Sequence, residues 1–196
     1  MCSEAATECG CSVLAVRPQG LPPAGLGDLL RRVARLSART DALRAECIAE
    51  AERTEAARRQ GFESTTAWLM SLSKEPAAVC RSQVAVAASL EEMPETKAAF
   101  AAGEVSECRV RLLAQAQALA PEQFAQDEAT LVAQAAAVSS KRLPEVLAVW
   151  KRQTDPVAAE VEAERLHAQR ALHLSPDWSG MMRVSGLLDP ESGGVV

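Results

Sequence analysis

Between Ser64 and Leu119 the chain repeatedly starts and stops a helical pattern, and this rhythm limits the fold more than any other feature. Gly61-Phe62 precedes the stretch, Lys74-Glu75-Pro76 and Met93-Pro94 interrupt it, and Gly103-Glu104-Val105-Ser106 divides its last two segments. Between the breaks, apolar residues recur at three- and four-residue spacing, which places them on one face of a helix. Breakers this close together allow only short connections, so consecutive helices must fold back on one another. Aromatic residues make up 3% of the chain while alanine is plentiful. Small side chains suit closely approaching helices, whereas strands favour β-branched and aromatic ones. The expected class is mainly α: a multi-helix bundle with one long N-terminal helix and a small C-terminal β-hairpin.

Residues 1–23 read as a disordered leader rich in Gly, Pro and Cys, ending in Leu21-Pro22-Pro23. The expected helical domain covers 24–196. A single long helix is predicted over residues 24–60, where Leu29, Val33, Leu36, Thr40, Leu43 and Cys47 alternate at spacings of four and three, a heptad seam. The seam can pack inside the domain or form a homodimer, and the spacing does not choose. Arg31, Arg32, Arg35, Arg39 and Arg44 flank it. They read either as a contact face for nucleic acid or a partner, or as a solvated helix face; the second is the commoner role for such charges.

Gly61 is placed to end that helix and Ser64 to cap the next, whose apolar face is Trp68, Leu69 and Leu72. Pro76 is expected in the first turn of a helix carrying Val79, Val84, Val86 and Leu90. Pro94 opens a short helix that Gly103 stops, and Ser106 caps one carrying Val110, Leu112, Leu113 and Leu119. Pro121 to Val138 follows with Phe124, Leu131 and Val132 inward. A helix opened by Ser140 turns Leu147 and Trp150 inward, and a charged one runs from Val157 to Gln169 after the cap Thr154-Asp155-Pro156. The period then changes to two. Residues 170–188 predict a hairpin with Leu172, Leu174, Met182 and Val184 on one face and His173 and Arg183 on the other. Two strands alone are marginal in water, so the hairpin must lean on the helices or pair with something else. Asp189-Pro190-Glu191 then has the order of a helix start, with Asp as N-cap and Pro at the first helical position. A helix begun so close to residue 196 is the pattern expected of a longer protein cut at this point.

Charge and cysteine usage narrow the function classes. The net charge is −5, so the chain lacks a global electrostatic footprint for nucleic acid, although a local basic stripe stays open. No apolar run reaches the roughly 18 residues that span a bilayer. The N-terminus carries Glu4 and Glu8 where a signal peptide has a basic region. A cytoplasmic protein with reduced cysteines is expected. Cys2, Cys9 and Cys11 sit close together, but no second Cys or His pair follows at zinc spacing, so no metal site is expected. Cys47, Cys80 and Cys108 read as small buried hydrophobes.

Ordered motifs now become specific. Gly61, Phe62, Ser64, Trp68 and Leu69 form GF-x-S-x-x-x-WL; Leu90, Met93 and Pro94 form L-x-x-MP; and AAFAAGEVS runs from Ala98 to Ser106. RALHL over Arg170 to Leu174 and WSGMMRVSGLLDPESG over Trp178 to Gly193 complete the set. From about Leu26 to the last residue the chain resembles domain-of-unknown-function family 222, a helical domain on the N-terminal side of many bacterial HNH endonuclease-type proteins. The resemblance implies structural roles for Gly61, Phe62, Trp68, Pro94, Gly103, Ser106, Arg170, Gly180, Gly186 and Asp189. It also implies a metal-dependent nuclease module elsewhere in such proteins. That module is not in this chain. The chain has no Asn, and its only histidines are His167 and His173, whereas an HNH site needs His and Asn together around a metal. Any divalent metal therefore belongs to the missing module, and no cofactor is expected here. Arg109 stands where family members are expected to carry His, which puts chemistry at that position in doubt.

Three functions compete. The first is a non-catalytic accessory domain positioning DNA or a partner, with Arg31, Arg35, Arg39, Arg81, Arg109 and Arg111 as candidate contacts. Trp68 to Leu90 has an outline of helix–turn–helix, but its second helix offers only Arg81 and Gln83 among Val, Ala and Ser, so it reads as core. The second is an oligomerisation module acting through the Leu29–Cys47 seam. The third is an enzyme using His173 with Asp177 or Glu191, or His167 with a helix-face Glu. No phosphate loop or nucleophile elbow supports the third.

Overall fold

The computed structural model describes Val13, residues 15–154, residues 156–189 and Ser192. Among these are nine helices: α1 (Pro23–Arg53), α2 (Ala56–Arg59), α3 (Thr65–Ser73), α4 (Ala77–Leu90), α5 (Pro94–Ala102), α6 (Glu107–Leu119), α7 (Pro121–Ala137), α8 (Leu143–Thr154) and α9 (Pro156–Ala168). The strands β1 (Ala171–Pro176) and β2 (Met182–Leu187) follow. The chain forms two compact units, Met1–Leu147 and Ala148–Val196, the division falling within α8.

The first unit is built around α1, which packs against α4 and α5, while α7 lies on α5 and α6. Its core includes Phe100, Phe124, Met93, Leu113, Val110 and Cys80, all but sealed from solvent. Burying large apolar side chains stabilises a fold by about 1.5–3 kcal/mol each. The contribution of α1 is different. Its buried residues are Ala38, Ala42, Ala45, Ile48 and Ala51, so four of five are alanines and the helices can approach closely.

That face is not the heptad seam. Val33, Leu43, Thr40 and Cys47 are exposed, and Leu29 and Leu36 only half-buried. The alanines prevail because the bundle needs thin contacts there, and the larger residues turn outward. The single helix expected over 24–60 also breaks. Thr54 donates its hydroxyl to the Glu50 carbonyl, and Glu55 takes a left-handed conformation at φ 52°. Threonine favours such back-bonding over helix propagation, so α1 stops at Arg53 and α2 follows at Ala56.

The two helix stops that use glycine are made alike. Gly61 (φ 82°) and Gly103 (φ 77°) are left-handed, as the residue after a helix often is. Phe62 N–H reaches Ala57 C=O and Gly61 N–H reaches Arg58 C=O, both at 3.0 Å; Glu104 to Ala99 and Gly103 to Phe100 repeat the pattern at 2.9 Å. At the N-terminal ends Ser64 Oγ accepts from Ala67 N–H at 3.1 Å, and Pro94 is the first residue of α5.

Several finer expectations change. Cys47 and Cys108 are exposed and only Cys80 of the described cysteines is buried; the outer sides of α1 and α6 carry the other two. Leu72, Val79 and Leu119 also face solvent, because they end or begin their helices beyond the reach of a neighbour. Pro76 lies one residue before α4, at its N-cap. Ser106 occupies the N-cap of α6 without bonding its backbone; its hydroxyl lies 3.2 Å from Cys108 Sγ. Ser139 rather than Ser140 forms the turn into α8, its carbonyl accepting from Arg142 and Leu143. In the expected leader, Val13 is helical and buried. Leu21 N–H closes a turn onto Pro18 C=O with Gly20 at φ 83°. Cys2, Cys9, Cys11, Asp155, Pro190 and Glu191 lie outside the described residues.

In the second unit β1 and β2 pair antiparallel, with Leu172 opposite Gly186, Leu174 opposite Val184 and Pro176 opposite Met182. Directly opposed residues share a face, so Leu172, Leu174, Met182 and Val184 line one side, and His173 and Arg183 the other. All six are exposed. The tip is closed by Gly180 N–H to Asp177 C=O at 2.9 Å, and Trp178 beside it is 97% exposed.

Candidate partner-binding surface

The candidate arginines fall into three kinds. Arg31 donates to Asp28 at 2.7 Å, an exposed pair one turn apart. Arg109 is turned inward to the end of a neighbouring helix: its guanidinium donates to Ala135 C=O at 2.5 Å, to Ala136 C=O at 3.3 Å and to Ser140 Oγ at 3.4 Å. Those carbonyls end α7 and have no later turn to accept from, and a cation there also opposes the negative end of the helix dipole. Arg35, Arg39, Arg81 and Arg111 are exposed, and none of them pairs with a carboxylate among the described residues.

Arg35 and Arg39 lie one turn apart on α1, held by Gly103. A methyl group on Gly103 would come within 2.6 Å of Arg35 Cγ, 2.7 Å of Arg35 C=O and 3.1 Å of Arg39 Cγ. The left-handed turn ending α5 thus sits on the stems of both arginines, whose guanidinium heads extend beyond. Among the described residues this is the closest approach between helices that a glycine makes possible, and it brings Gly103 and two candidate contacts together. Arg81 on α4 and Arg111 on α6 stand on other helices.

The remaining motif positions have definable jobs. Phe62 and Trp68 are half-buried beside the first glycine stop. Gly180 is left-handed at φ 83° in the hairpin turn. A side chain at Gly186 would meet the Ala171 carbonyl at 2.8 Å, so the strands close only with glycine there. Asp189 is nearly buried and gathers the open end of the hairpin. Its carboxylate accepts from Ser192 N–H and Oγ, both at 2.9 Å, the geometry of an N-cap. His167 Nδ1 and Arg170 Nε each stand 3.6 Å from Asp189 Oδ2. This cluster joins the end of α9 to both strands.

Reading the sequence missed one buried polar group. Glu128 of α7 is 3% exposed, and its Oε1 accepts from Thr96 N–H and Thr96 Oγ, both at 2.8 Å. Thr96 lies in the first turn of α5, so a glutamate from another helix caps it. The signal was present: Glu128 is four residues after Phe124 and three before Leu131, inside the inward stripe.

Catalytic geometry is sparse. His173 is exposed opposite Ser185, away from the Asp189 cluster. No group of three His, Cys, Asp or Glu that could hold a metal occurs among the described residues. A hollow of about 270 Å³ between the end of α1, α2 and the start of α3 is open and lined by Glu52, Glu55, Arg58, Glu63 and Ser64. No described helix is long and apolar enough to cross a membrane.

Fold and surface together define a mainly helical domain with a C-terminal hairpin, whose sequence motifs serve caps, close approaches and turns. The chain belongs to the family described as Domain of unknown function (DUF222), whose profile matches residues 28–195. No curated protein and no solved structure matches the chain.

Proposed function

We propose that this chain is a non-catalytic accessory domain of an HNH endonuclease-type protein, positioning DNA or a partner for a nuclease module that it does not contain. The observation carrying this reading is the pair Arg35 and Arg39, with their stems against Gly103 and their heads free of carboxylates among the described residues. Exposed unpaired guanidinium groups on a rigid helix suit phosphate contacts, which supply affinity without reading sequence. Divalent metal chemistry would belong to the other module, and a cytoplasmic setting fits the expected reduced cysteines.

Duplex DNA binding measured by fluorescence anisotropy across a salt series tests the proposal. Affinity should fall as salt rises, and Arg35→Ala/Arg39→Ala should lower the log–log slope by about 2, roughly one for each phosphate deprived of its arginine. Binding that is weak and flat with salt sinks it. Plasmid incubated with the chain and Mg²⁺ or Mn²⁺ should remain unnicked; metal-dependent cleavage by the purified chain would make it an enzyme in its own right.

A second reading, an oligomerisation module without a nucleic-acid role, draws on the outward seam of α1, where Leu43 is 60% and Val33 44% exposed.

A further inference from the structure

We infer that α1 pairs with α1 of a second copy of this chain, antiparallel, along the seam Leu26, Leu29, Val33, Leu36, Thr40, Leu43 and Cys47. The inference rests on the oligomerisation reading and adds to it the partner, the orientation and the register.

The seam keeps a strict three–four spacing for three heptads, the shortest run that marks a coiled-coil stripe. At 3.6 residues per turn it lies roughly opposite the buried alanines of α1. The helix therefore has two working faces: small residues hold it in its own bundle, and large ones are left to solvent. Leu26, Val33 and Leu43 are all more than one-third exposed, although apolar residues at these positions normally meet a partner helix.

Charge identifies that partner. Residues 28–36 carry Arg31, Arg32 and Arg35 against Asp28, while residues 40–48, which face them in the reversed pair, carry Asp41 and Glu46 against Arg44. The first part is net positive and the second net negative. A helix with this polarity is complementary to itself when reversed. In a parallel, in-register pair the flanking positions would set Arg39 against Arg44 of the second copy twice, with only Asp41, already paired to Arg44 at 2.8 Å, beside them. In the reversed pair, Val33 stands opposite Leu43, Leu36 opposite Thr40 and Leu29 opposite Cys47 of the second copy, with Arg32 beside Glu46. Arg39 then meets its own copy once, near the two-fold axis. Two attractive contacts and one repulsion replace two repulsions, and the helix dipoles are also opposed.

Sedimentation velocity on the full chain provides the first test. A dimer is expected at tens of micromolar, and V33E/L43E should shift it to monomer while leaving the far-UV circular dichroism unchanged, since both side chains are exposed. Orientation is read by mild oxidation of V33C/L43C followed by peptide mapping. The two positions lie about 15 Å apart along one helix, so they cannot join within a chain. Links between 33 and 43 are expected. A dimer linked 33 to 33 and 43 to 43, or one indifferent to V33E/L43E, overturns the antiparallel seam while leaving self-association standing. A monomer at 100 micromolar overturns both.

Discussion

Replacing Glu128 by alanine tests the account of the core most directly. Its Oε1 accepts two hydrogen bonds from Thr96 at 2.8 Å, with both residues buried. Hydrogen bonds to a carboxylate contribute about 1.5–3 kcal/mol each, and a buried donor left without a partner costs about 1–3 kcal/mol. These are two views of the same loss and do not add. With partial relaxation, Glu128→Ala should cost roughly 3–5 kcal/mol, a large share of the 5–15 kcal/mol typical of a whole domain. For a domain of this size the midpoint should fall by about 6–20 °C. Glu128→Gln keeps an acceptor in the same place and should cost only about 1–2 kcal/mol. Urea unfolding followed by circular dichroism gives both values. A cycle with Thr96→Val should show a coupling of about 1–2 kcal/mol. An alanine variant within 1 kcal/mol of wild type, or a glutamine variant as damaged as the alanine one, refutes the capping role.

The two glycine stops should respond unequally. Gly61→Ala has open space around it and should cost about 1 kcal/mol for its left-handed backbone, whereas Gly103→Ala also drives a methyl group into Arg35 and should cost about 3 kcal/mol or more; parallel denaturant titrations compare them. Arg109→Met should lower stability by about 1–3 kcal/mol through the freed carbonyls of Ala135 and Ala136, and amide exchange should speed up first at the end of α7. On α1 the hydrogen bond from Arg53 holds the Glu50 carboxyl below the usual carboxylate range. Its contribution is therefore complete above the unfolded carboxylate pKa and is lost as pH falls through the lowered folded value. The pair is solvent-exposed, so Glu50→Gln should leave the urea midpoint nearly unchanged at pH 7, and NMR titration of its side chain should report the lowered pKa.

Helix order, the hairpin and its facing were legible because breakers and period act locally: Pro94, Pro121, Gly61 and Gly103 punctuate the chain wherever it folds. The facing of β1 and β2 follows from the same alternation, since Leu172 and Leu174 stand two apart, as do Met182 and Val184. The direction of α1 was not legible. A heptad seam of Leu and Val outranks a row of alanines on any hydrophobicity scale, yet alanines face the core because interhelical distance decides, and distance is a property of the neighbour. Thr54 and Glu55 carry no strong breaker, so the kink there depended on side-chain back-bonding that competes narrowly with helix. Among the candidate contacts, Arg109 looked equivalent to Arg111. Only the position of the end of α7, fixed by Pro121 and the packing of Phe124, distinguishes an arginine that caps carbonyls from one facing water. Glu128 was overlooked because a carboxylate in an apolar stripe reads as noise until Thr96 is seen beneath it.

The hairpin tip has an experimental use. The chain has three tryptophans and no tyrosine, so its near-ultraviolet fluorescence reports indole environments alone. Trp150 is buried, Trp68 half-buried and Trp178 almost wholly in water. Iodide should therefore quench Trp178 first, leaving the other two as an internal reference. Any molecule that settles on the apolar side of β1 and β2 should shield that one indole and shift its emission to the blue. The protein carries its own optical sensor at the end of its most exposed element, with no label needed.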